Sequence, residues 1–596
     1  MASTLNLGAI KTPGVYIDEM SLFPPSVAQV ETAVPAFIGP TRMAAKDGKS
    51  LLNVPTKVKS MAEFRAWYGG GPDRDLTVVL DPLNGVESVT ANAHFYLYDS
   101  LLLYFGNGGE KCYVVATGDY GTALADTQFI NALDVLQKFD EPTLIVTPDA
   151  VSLAAAGLAN VQQAALDHCQ RLQDRFAVLD VQVADPKRLG LDDADIAAFR
   201  NAVTNHLNYG AAYYPYLKTS LPLPVSFAGL KLQKPLGTPA VLDTLLDPGA
   251  GRDLALAAKH LVADLATAQP AALKAKLDEY GTDVAKADKR DDLHDALEIF
   301  AGAAPLAFAD PAGDTQHDYN DYVNPAKPNG QKLVALRAAI AAVVPSGAGE
   351  TPQAQLDRLF GQVNDYIGGF QAKTTLRLKT MEEEMKAKIP LYAAIVAAAE
   401  AQGIILPPSG AVTGAYARTD NDRGVWKAPA NVGLNYVVGP TAMLTDAEQA
   451  GLNVDVDAGK SINAIRAFTG KGTLIWGART LAGSDNEWRY VSVRRFFIMV
   501  EESVKKATGQ FVFEPNDANT WVRVRAMIEN FLTLQWRAGA LAGIKAEHAF
   551  FVRVGLGQTM TAQDVLNGFM IVEIGMAAVR PAEFIILRFS HKMQES

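Results

Sequence analysis

The sequence predicts an α/β protein of several domains, with an α+β arrangement for the chain as a whole. Strand-like and helix-like segments alternate from residue 141 to residue 218, a pattern typical of a parallel sheet with right-handed crossovers. Residues 219–390 carry helical periodicity in a composition rich in Ala, Leu, Asp and Lys. Because one core cannot serve 596 residues, about two to four domains are expected.

The composition argues against several classes of protein. The formal net charge of −11 disfavours non-specific nucleic-acid binding, which needs a basic surface. Apolar runs stay below the roughly 18 residues that span a membrane, and the first residues lack the apolar core of a secretory signal. Cys112 and Cys169 are interpreted as buried structural thiols, which suits synthesis in the reducing cytoplasm. We therefore expect neither a nucleic-acid partner nor direct membrane contact.

Apolar runs and capping residues predict the individual elements up to residue 480. Ser60 with Glu63, and Thr445 with Glu448, have the spacing of a helix capping box. Helices are predicted over residues 90–105, 161–172 and 196–207, and four more amphipathic pieces lie within 219–390. The predicted strands are Val34–Pro40, Lys111–Val115, Thr143–Val146, Phe176–Asp180, Ala211–Leu217, Ile404–Leu406 and Leu474–Gly477.

The remaining residues combine two amphipathic helices with three strands. The first helix is predicted to bury a single face formed by Val493, Phe496, Phe497, Val500 and Val504. It also carries two i,i+4 pairs in the favourable order, Glu501 with Lys505 and Glu502 with Lys506. Asn516 or Asp517 is expected to cap the second helix. The strands that follow are Ala549–Val554, Phe569–Met576 and Phe584–Phe589.

Motifs for a cofactor, a metal or catalysis are not found. Thr469–Thr473 lacks the first glycine and the Ser or Thr of a phosphate-binding loop. A calcium loop begins at Asn453 but has Ala458 where glycine is required and Ala464 at position 12. An enzyme remains an alternative because His168, His206, Asp149 and Asp180 lie in the α/β part, although no nucleophile motif accompanies them. Asp149 and Asp180 are interpreted as turn and cap residues.

Several phrases resemble the family of contractile tail sheath proteins, found in myophage tails, R-type pyocins and extracellular contractile injection systems. They are TPGVYIDEM, VETAVPAFIGPT, FGNGGEKCYVV, PPSGAVTGAYARTDNDRGVWKAPAN, KGTLIWGARTL, RRFFIMVEESVKKATGQFVFEPND and RPAEFIILRF. The resemblance covers roughly residues 11–218 and 391–596. We interpret the YARTD, WKAPAN and WGARTL phrases as structural, with buried indoles and paired arginines.

The resemblance implies a domain organisation. It predicts an N-terminal arm (1–25), a first part of the sheath core (26–125) and an α/β domain with a subtilisin-like fold (126–218 and 391–480). Residues 219–390, which match no family segment, are expected to form a helical insertion on the outer surface. Residues 481–596 are expected to form the C-terminal sheath domain.

The resemblance also implies where such a subunit would bind its neighbours. Arm strands that add to sheets of adjacent subunits are implied at Val15, Tyr16 and Ile17 and at Phe584, Ile585, Ile586, Leu587, Arg588 and Phe589. The alternative for the second set is an ordinary last strand of its own domain. A helix facing an inner tube is implied to carry Arg494, Arg495, Glu501, Glu502, Lys505 and Lys506. The alternative for its lysines is pairing with Glu501 and Glu502 on a solvated face.

The implied function is that of a structural, non-enzymatic subunit that polymerises around an inner tube and contracts to drive the tube through a cell envelope. The implied partners are further copies in stacked six-fold rings, the tube protein, baseplate and terminator proteins and paralogous sheath subunits. No cofactor is implied. Two alternatives stay open: an α/β hydrolase-like enzyme with a helical insertion, and a static sheath paralogue that does not contract.

Overall fold

The computed structural model describes residues 27–92, 95–186, 188–268 and 375–588, together with scattered positions between 272 and 366. The chain divides into two units. The first comprises Met1–Pro72, Phe95–Thr219 and Ile405–Ser596, and the second comprises Asp73–His94 and Ser220–Ile404. Predicted elements of the N-terminal arm, including Val15–Ile17, lie outside the described residues.

A nine-stranded sheet organises the first unit. Its six central strands are parallel, and an antiparallel strand or strand pair closes each edge. This confirms the parallel sheet predicted from the alternating pattern. From edge to edge the strands are Val432–Gly433, Gly472–Ile475, Ile462–Phe468, Gly210–Tyr214, Phe176–Asp180, Leu144–Val146, Pro35–Thr41, Cys112–Asp119 and Thr56–Val58.

Helices cover the sheet because its central strands are apolar on both faces. Pro35–Thr41, for example, is buried at every position, as expected for a central parallel strand. The helices of this part are Met61–Tyr68, Leu97–Gly106, Asp126–Leu136, Ala155–Leu172, Asp193–Ala202, Ser409–Arg423 and Asp446–Asn453. The unit also has a three-stranded sheet (Ile405–Leu406, Leu217–Thr219, Val437–Pro440) and a short hairpin (Ala45–Lys46, Lys49–Ser50). The capping box predicted at Thr445 is confirmed: its hydroxyl accepts from the Glu448 amide, and the Glu448 carboxylate accepts from the Thr445 amide. At Ser60 the hydroxyl caps the helix by accepting from the Glu63 amide, but the Glu63 carboxylate accepts from the Lys59 amide, so the box is only half formed.

Two sequence predictions in this unit are corrected. Residues 90–105 do not form one helix. Residues 90–92 belong to the strand Val86–Asn92, and the helix begins only at Leu97. Residues 211–217 likewise contain two strands, because Gly210–Tyr214 and Leu217–Thr219 belong to different sheets.

The second unit contains a four-stranded sheet, in the order Thr238–Ala240, Leu230–Lys234, Asp75–Leu80 and Val86–Asn92. Residues 230–240 therefore form strands in a region expected to be helical, and they pair with strands expected to belong to the core. Helical residues dominate the rest of the described part, in Ala250–Ala268, over 375–388 and in Pro390–Gln402.

The C-terminal residues of the first unit pack around a cluster of apolar side chains. The helix Val491–Thr508 contributes Phe496 and Val500, and the helix Ala518–Arg537 contributes Ile528 and Phe531. Asp517 caps the second helix by accepting from the Thr520 amide. The short helices Ala546–Ala549 and Ala562–Leu566 follow, and the strands Phe550–Arg553 and Glu573–Met576 pair antiparallel. None of the described helices combines the length and hydropathy needed to cross a bilayer.

Candidate functional site

The helix Val491–Thr508 is the predicted contact helix. Its apolar face forms as predicted: Val493, Phe496, Val500 and Val504 are buried, and Phe497 is partly buried against the same cluster. Packing of this face fixes the rotation of the helix and so decides where its charged residues point.

Arg495 points into the protein. Its side chain is 3% exposed and makes two hydrogen bonds to the Asp420 carboxylate, at 3.0 and 2.5 Å. It also donates to the Thr32 carbonyl at 2.9 Å and lies over the ring of Tyr416. This enclosure by partners of its own chain argues against the tube contact predicted for Arg495.

Arg494 is buried in the same manner on the neighbouring face. The guanidinium lies between the rings of Tyr209 and Trp488, at 4.7 and 4.4 Å from their centroids. The guanidinium also donates a hydrogen bond, at 2.9 Å, to the carboxylate of Glu501, which lies about two helical turns further along the chain. The prediction of Arg494 as a contact residue is corrected as well, and so is the predicted Glu501–Lys505 pair, because Glu501 pairs with Arg494.

Lys505 and Lys506 remain at the surface. Their side chains are 70% and 45% exposed, and both pair with the buried carboxylate of Glu502, at 3.1 and 3.2 Å. The hydrogen bond that Lys505 donates to Glu502 raises the pKa of Lys505 above its ordinary value. Lys506 borders an open groove of about 270 Å³ that is also lined by Glu31, Asp140, Glu141 and Asp174. Of the predicted contact residues, these two lysines and Glu501, whose side chain is 44% exposed, are accessible to a partner.

The chain enters the described part of the first unit along this helix. Val27 is buried in the cluster that contains Phe496, the amide of Val30 donates to the Ser503 hydroxyl at 3.0 Å, and Thr32 donates to Asp420 at 2.6 Å. The N-terminal segment therefore starts from a fixed point on the C-terminal part of the unit.

The other terminus is fixed at Glu583. Its carboxylate accepts from Arg479 at 2.8 and 2.9 Å, from Asn453 at 2.6 Å and from Tyr490 at 3.0 Å. Burial opposes the charge of Glu583, but these hydrogen bonds outweigh it and hold the pKa of the carboxyl below its ordinary value. Arg479 of the WGARTL phrase is thus paired as predicted, whereas Trp476 of the same phrase is 36% exposed rather than buried.

Beyond this anchor the chain exposes apolar side chains. Phe584, Ile585, Ile586 and Leu587 are 71–80% exposed, and residues 584–588 belong to no helix or strand of the described chain. In the isolated chain, residues 584–588 therefore do not form an ordinary last strand of their own domain, which was the alternative interpretation. Phe589 lies outside the described residues.

A sheet with open edges lies in the same part of the chain. Phe550–Arg553 and Glu573–Met576 pair only with each other among the described strands, so each leaves one backbone edge unpaired there. An unpaired edge can accept a strand from another chain.

The polar residues considered for catalysis serve as helix caps or are enclosed. Asp180 accepts from the Ser409 amide and hydroxyl at 2.8 and 2.5 Å, at the start of the helix Ser409–Arg423. Asp149 accepts from the Tyr96 amide at 2.5 Å, just before the helix Leu97–Gly106. The interpretation of both as turn and cap residues is confirmed. Burial raises the pKa of Asp149 to about 8 and that of Asp180 to about 7.

The two histidines are separated from these carboxylates in their contacts. His168 is buried beside Arg175, 3.2 Å away, and burial lowers its pKa to about 3. His206 is exposed and lies 3.7 Å from Asp167. Among the described contacts, no hydrogen bond or ion pair joins either histidine to Asp149 or Asp180. The described residues also contain no group of three or more His, Cys, Asp or Glu placed to hold a metal ion.

Comparison with known proteins gives a consistent result at the C-terminal end. Residues 483–592 match the family described as the phage tail sheath C-terminal domain. The tail sheath protein of Vibrio phage KVP40 is 26% identical over 128 residues, and that of Enterobacteria phage T4 is 24% identical over 127 residues. These matches cover 22% and 21% of this chain and 19% of each relative's length.

Solved structures extend the likeness to the whole fold. The contracted sheath of the extracellular contractile injection system PVC matches with a TM-score of 0.52 and 24% identity, over 98% of this chain and 99% of that one. The contracted helical sheath of the anti-feeding prophage AFP gives 0.51 and 24%, over 98% and 100%. A chain of the contracted AFP baseplate gives 0.55 and 20%, with the same coverage. The chain therefore has the fold of contractile sheath subunits, and the resemblance inferred from its sequence is confirmed.

Proposed function

We propose that this chain is the structural subunit of a contractile sheath, which polymerises helically around an inner tube and contracts to drive that tube through a target cell envelope. The observation that carries this proposal is the likeness of 98% of the chain to subunits of contracted sheaths. The C-terminal family match supports it independently. Both favour a sheath over the hydrolase alternative, as does the use of Asp149 and Asp180 as helix caps.

In this proposal the two chain ends link neighbouring subunits. Residues 584–589 and 15–17 each add to a sheet edge of an adjacent copy, and the open sheet of Phe550–Arg553 and Glu573–Met576 receives them. Main-chain hydrogen bonds hold such a mesh, while alternate side chains set the register. The anchors at Glu583 and Thr32 would transmit load from each arm into the body of the subunit.

Lys505 and Lys506 are the proposed tube contacts. Exposed ion pairs contribute little each, about 0–1 kcal/mol, so they can form and break as a sheath slides off its tube. Because both lysines already pair with Glu502, a carboxylate on the tube would compete for them rather than find them free.

The finer organisation is also proposed. We assign a subtilisin-like fold to residues 126–218 and 391–480, and an outer-surface position to 219–390. The proposed partners are further copies in stacked six-fold rings, the tube, baseplate and terminator proteins, and paralogous sheath subunits. The chain would be made in the cytoplasm and become part of a phage tail or tail-like particle. It would act without catalysis, nucleic acid or direct membrane contact, since lattice rearrangement supplies the work.

Negative-stain electron microscopy of the purified full-length chain at neutral pH tests the proposal. Hollow cylinders with helical striations are expected. Uniform small particles, both alone and with the tube protein and baseplate present as a nucleus, would contradict it.

A further inference from the structure

An open cavity of about 290 Å³ lies at the end of the helix Ser409–Arg423. The side chains that line it are different from those in the contact of Asp420 with Arg495. Its walls come from that helix and from the WKAPAN phrase that follows. The lining residues are Arg418, Thr419, Asp422, Arg423, Lys427, Ala430, Asn431 and Val432. Neither the arms nor the proposed tube contacts use this cavity.

The loop that forms the cavity is fixed in position. Gly424 ends the helix with a φ of +93°, and an added Cβ would lie 2.4 Å from the ring of Trp426. Asn431 also has a positive φ, of 56°, and its amide donates to the Ile475 carbonyl at 2.8 Å. Arg418 donates to the Gly433 carbonyl at 2.5 Å. The cavity is therefore part of the folded unit.

The charges in the cavity favour an anion. Three cationic side chains line it (Arg418, Arg423, Lys427) against a single carboxylate (Asp422). None of the three forms an ion pair with a described carboxylate, whereas Arg495 pairs with Asp420 of the same helix. The excess of two positive charges stands out in a chain whose net charge is −11. A ligand with two adjacent carboxylates would neutralise it.

We propose that this cavity binds Asp18 and Glu19 of the same chain. These two residues are the sole acidic residues among the first 26, and they are adjacent. The described chain begins at Val27. This side chain is buried in the same apolar cluster as Val425, which lies in the loop between Arg423 and Lys427. Glu19 precedes Val27 by eight positions, so the acidic pair can reach about 27 Å from that point. Length and charge thus both match the cavity.

The consequence for assembly rests on the proposed function. With Asp18 and Glu19 held by the cavity, Val15, Tyr16 and Ile17 would leave the subunit from one fixed place. The arm would then search a small volume for the neighbouring sheet edge, which reduces the entropy lost on pairing.

Cysteine cross-linking in the full-length chain tests this inference. The variant Met20→Cys/Ala430→Cys places one thiol beside the acidic pair and one in the cavity wall, and keeps every charge. Burial keeps Cys112 and Cys169 protonated, because it raises the pKa of both thiols, so they stay unreactive. The matched control is Met20→Cys/Lys59→Cys, since Lys59 is exposed beside Thr56–Val58 at the far edge of the nine-stranded sheet.

Under mild oxidation in dilute solution we expect an intramolecular disulfide to form at least ten times faster in the cavity variant than in the control. Adding Arg423→Glu/Lys427→Glu should abolish that difference, and further adding Asp18→Lys/Glu19→Lys should restore it. Equal rates in the two variants would overturn the inference. So would disulfides that form only between copies, or equal cross-linking after charge reversal. Electron microscopy of the same samples reports separately on polymerisation, so failure of this inference and failure of the sheath proposal are distinguishable.

Discussion

At the scale of single residues, the ion pair of Arg495 and Asp420 is buried on both sides. Both side chains are at most 5% exposed, and the bonds to Thr32 tie the incoming N-terminal segment to the same pair. A buried pair costs desolvation when it forms, but removing one partner leaves the other charge uncompensated.

We expect Asp420→Asn to destabilise the free subunit by about 3–5 kcal/mol, because Arg495 would keep its buried charge without a counterion. The control is Glu529→Gln, which breaks a pair with Arg525 whose side chains are 42% and 48% exposed, and it should cost less than about 1 kcal/mol. Urea unfolding of both variants measures the difference. Equal costs would show that the Asp420 pair contributes no more than a surface pair.

Asp180 should make stability depend on pH. Its pKa is raised from 3.8 to about 7 by burial, so the folded chain keeps a proton that the unfolded chain releases above about pH 4. The contribution of Asp180 to stability is therefore fully present at or below about pH 4 and is lost as the pH rises through about 7. In Asp180→Asn the amide can still accept from the Ser409 amide and donate to its hydroxyl. The variant should show a shallower loss of melting temperature between pH 5 and pH 8.

The control for this experiment is Asp134→Asn, which removes an exposed carboxylate from the helix Asp126–Leu136 and should leave the pH slope unchanged. Asp149 contributes in the same direction, since burial raises its pKa to about 8, so some slope should persist in Asp180→Asn. A slope identical to that of the wild type would contradict ionisation of Asp180 in this range.

Local sequence could predict some residue roles and not others. Asp149 and Asp180 follow strands and precede no nucleophile motif, so a capping role could be inferred directly. Arg494 and Arg495 flank an apolar stripe and look exposed in sequence. Their burial depends on Asp420 and Tyr209, which are distant in the chain, and local periodicity carries no information about such partners.

At the scale of elements, the anchor at Glu583 separates the folded body from an exposed apolar segment. Four donors on Arg479, Asn453 and Tyr490 converge on one carboxylate, so the chain direction after Glu583 is fixed while Phe584–Leu587 stay accessible. Such an element is prepared to pair with a strand edge outside its own chain.

Glu583→Gln should weaken both polymerisation and the folded state. The amide replaces a charge-assisted acceptor, and Arg479, whose side chain is 6% exposed, loses its counterion. We expect the concentration needed for polymer formation to rise about tenfold, measured by sedimentation. The exposed Glu547→Gln is the control and should behave like the wild type. A similar rise in both variants would argue against a specific role for the anchor.

The predicted elements were most accurate where burial was complete. The strands Pro35–Thr41 and Phe176–Asp180 consist of continuous apolar runs that fit a central parallel sheet. The helix expected over 90–105 was too long, because Val86–Asn92 pairs along its whole length with Asp75–Leu80 and this pairing continues past residue 90. The strands within 230–240 were missed because Leu230–Lys234 pairs with Asp75–Leu80, about 150 residues earlier in the chain.

At the scale of the whole molecule, we propose a folded body with a linking segment at each end. This organisation could be predicted from the order of the family-like phrases along the chain, whereas no single phrase would have been enough. The membership of residues 73–94 and 220–404 in one unit could not be predicted, because the sheet that joins them is assembled from distant segments.

Deleting residues 584–596 should abolish polymerisation and leave the fold intact. The removed part makes no strand within the described chain, and the anchor at Glu583 remains. We expect unchanged circular dichroism and a melting temperature within about 2 °C of the wild type, with no sedimenting polymer. Deleting residues 1–10, which precede the predicted arm strand, is the control and should leave polymerisation unaffected. Normal tubes from the shorter C-terminal variant would rule out this segment as an essential link.

The most direct test of the account is a cryo-electron microscopy map of polymers formed by the full-length chain. We expect a six-fold helical tube in which residues 584–589 of one subunit form a strand against Phe550–Arg553 or Glu573–Met576 of its neighbour. A tube in which these residues fold back onto their own subunit would contradict the linking role of the C-terminal segment. A chain that forms no polymer, even on its tube and baseplate, would contradict the sheath itself.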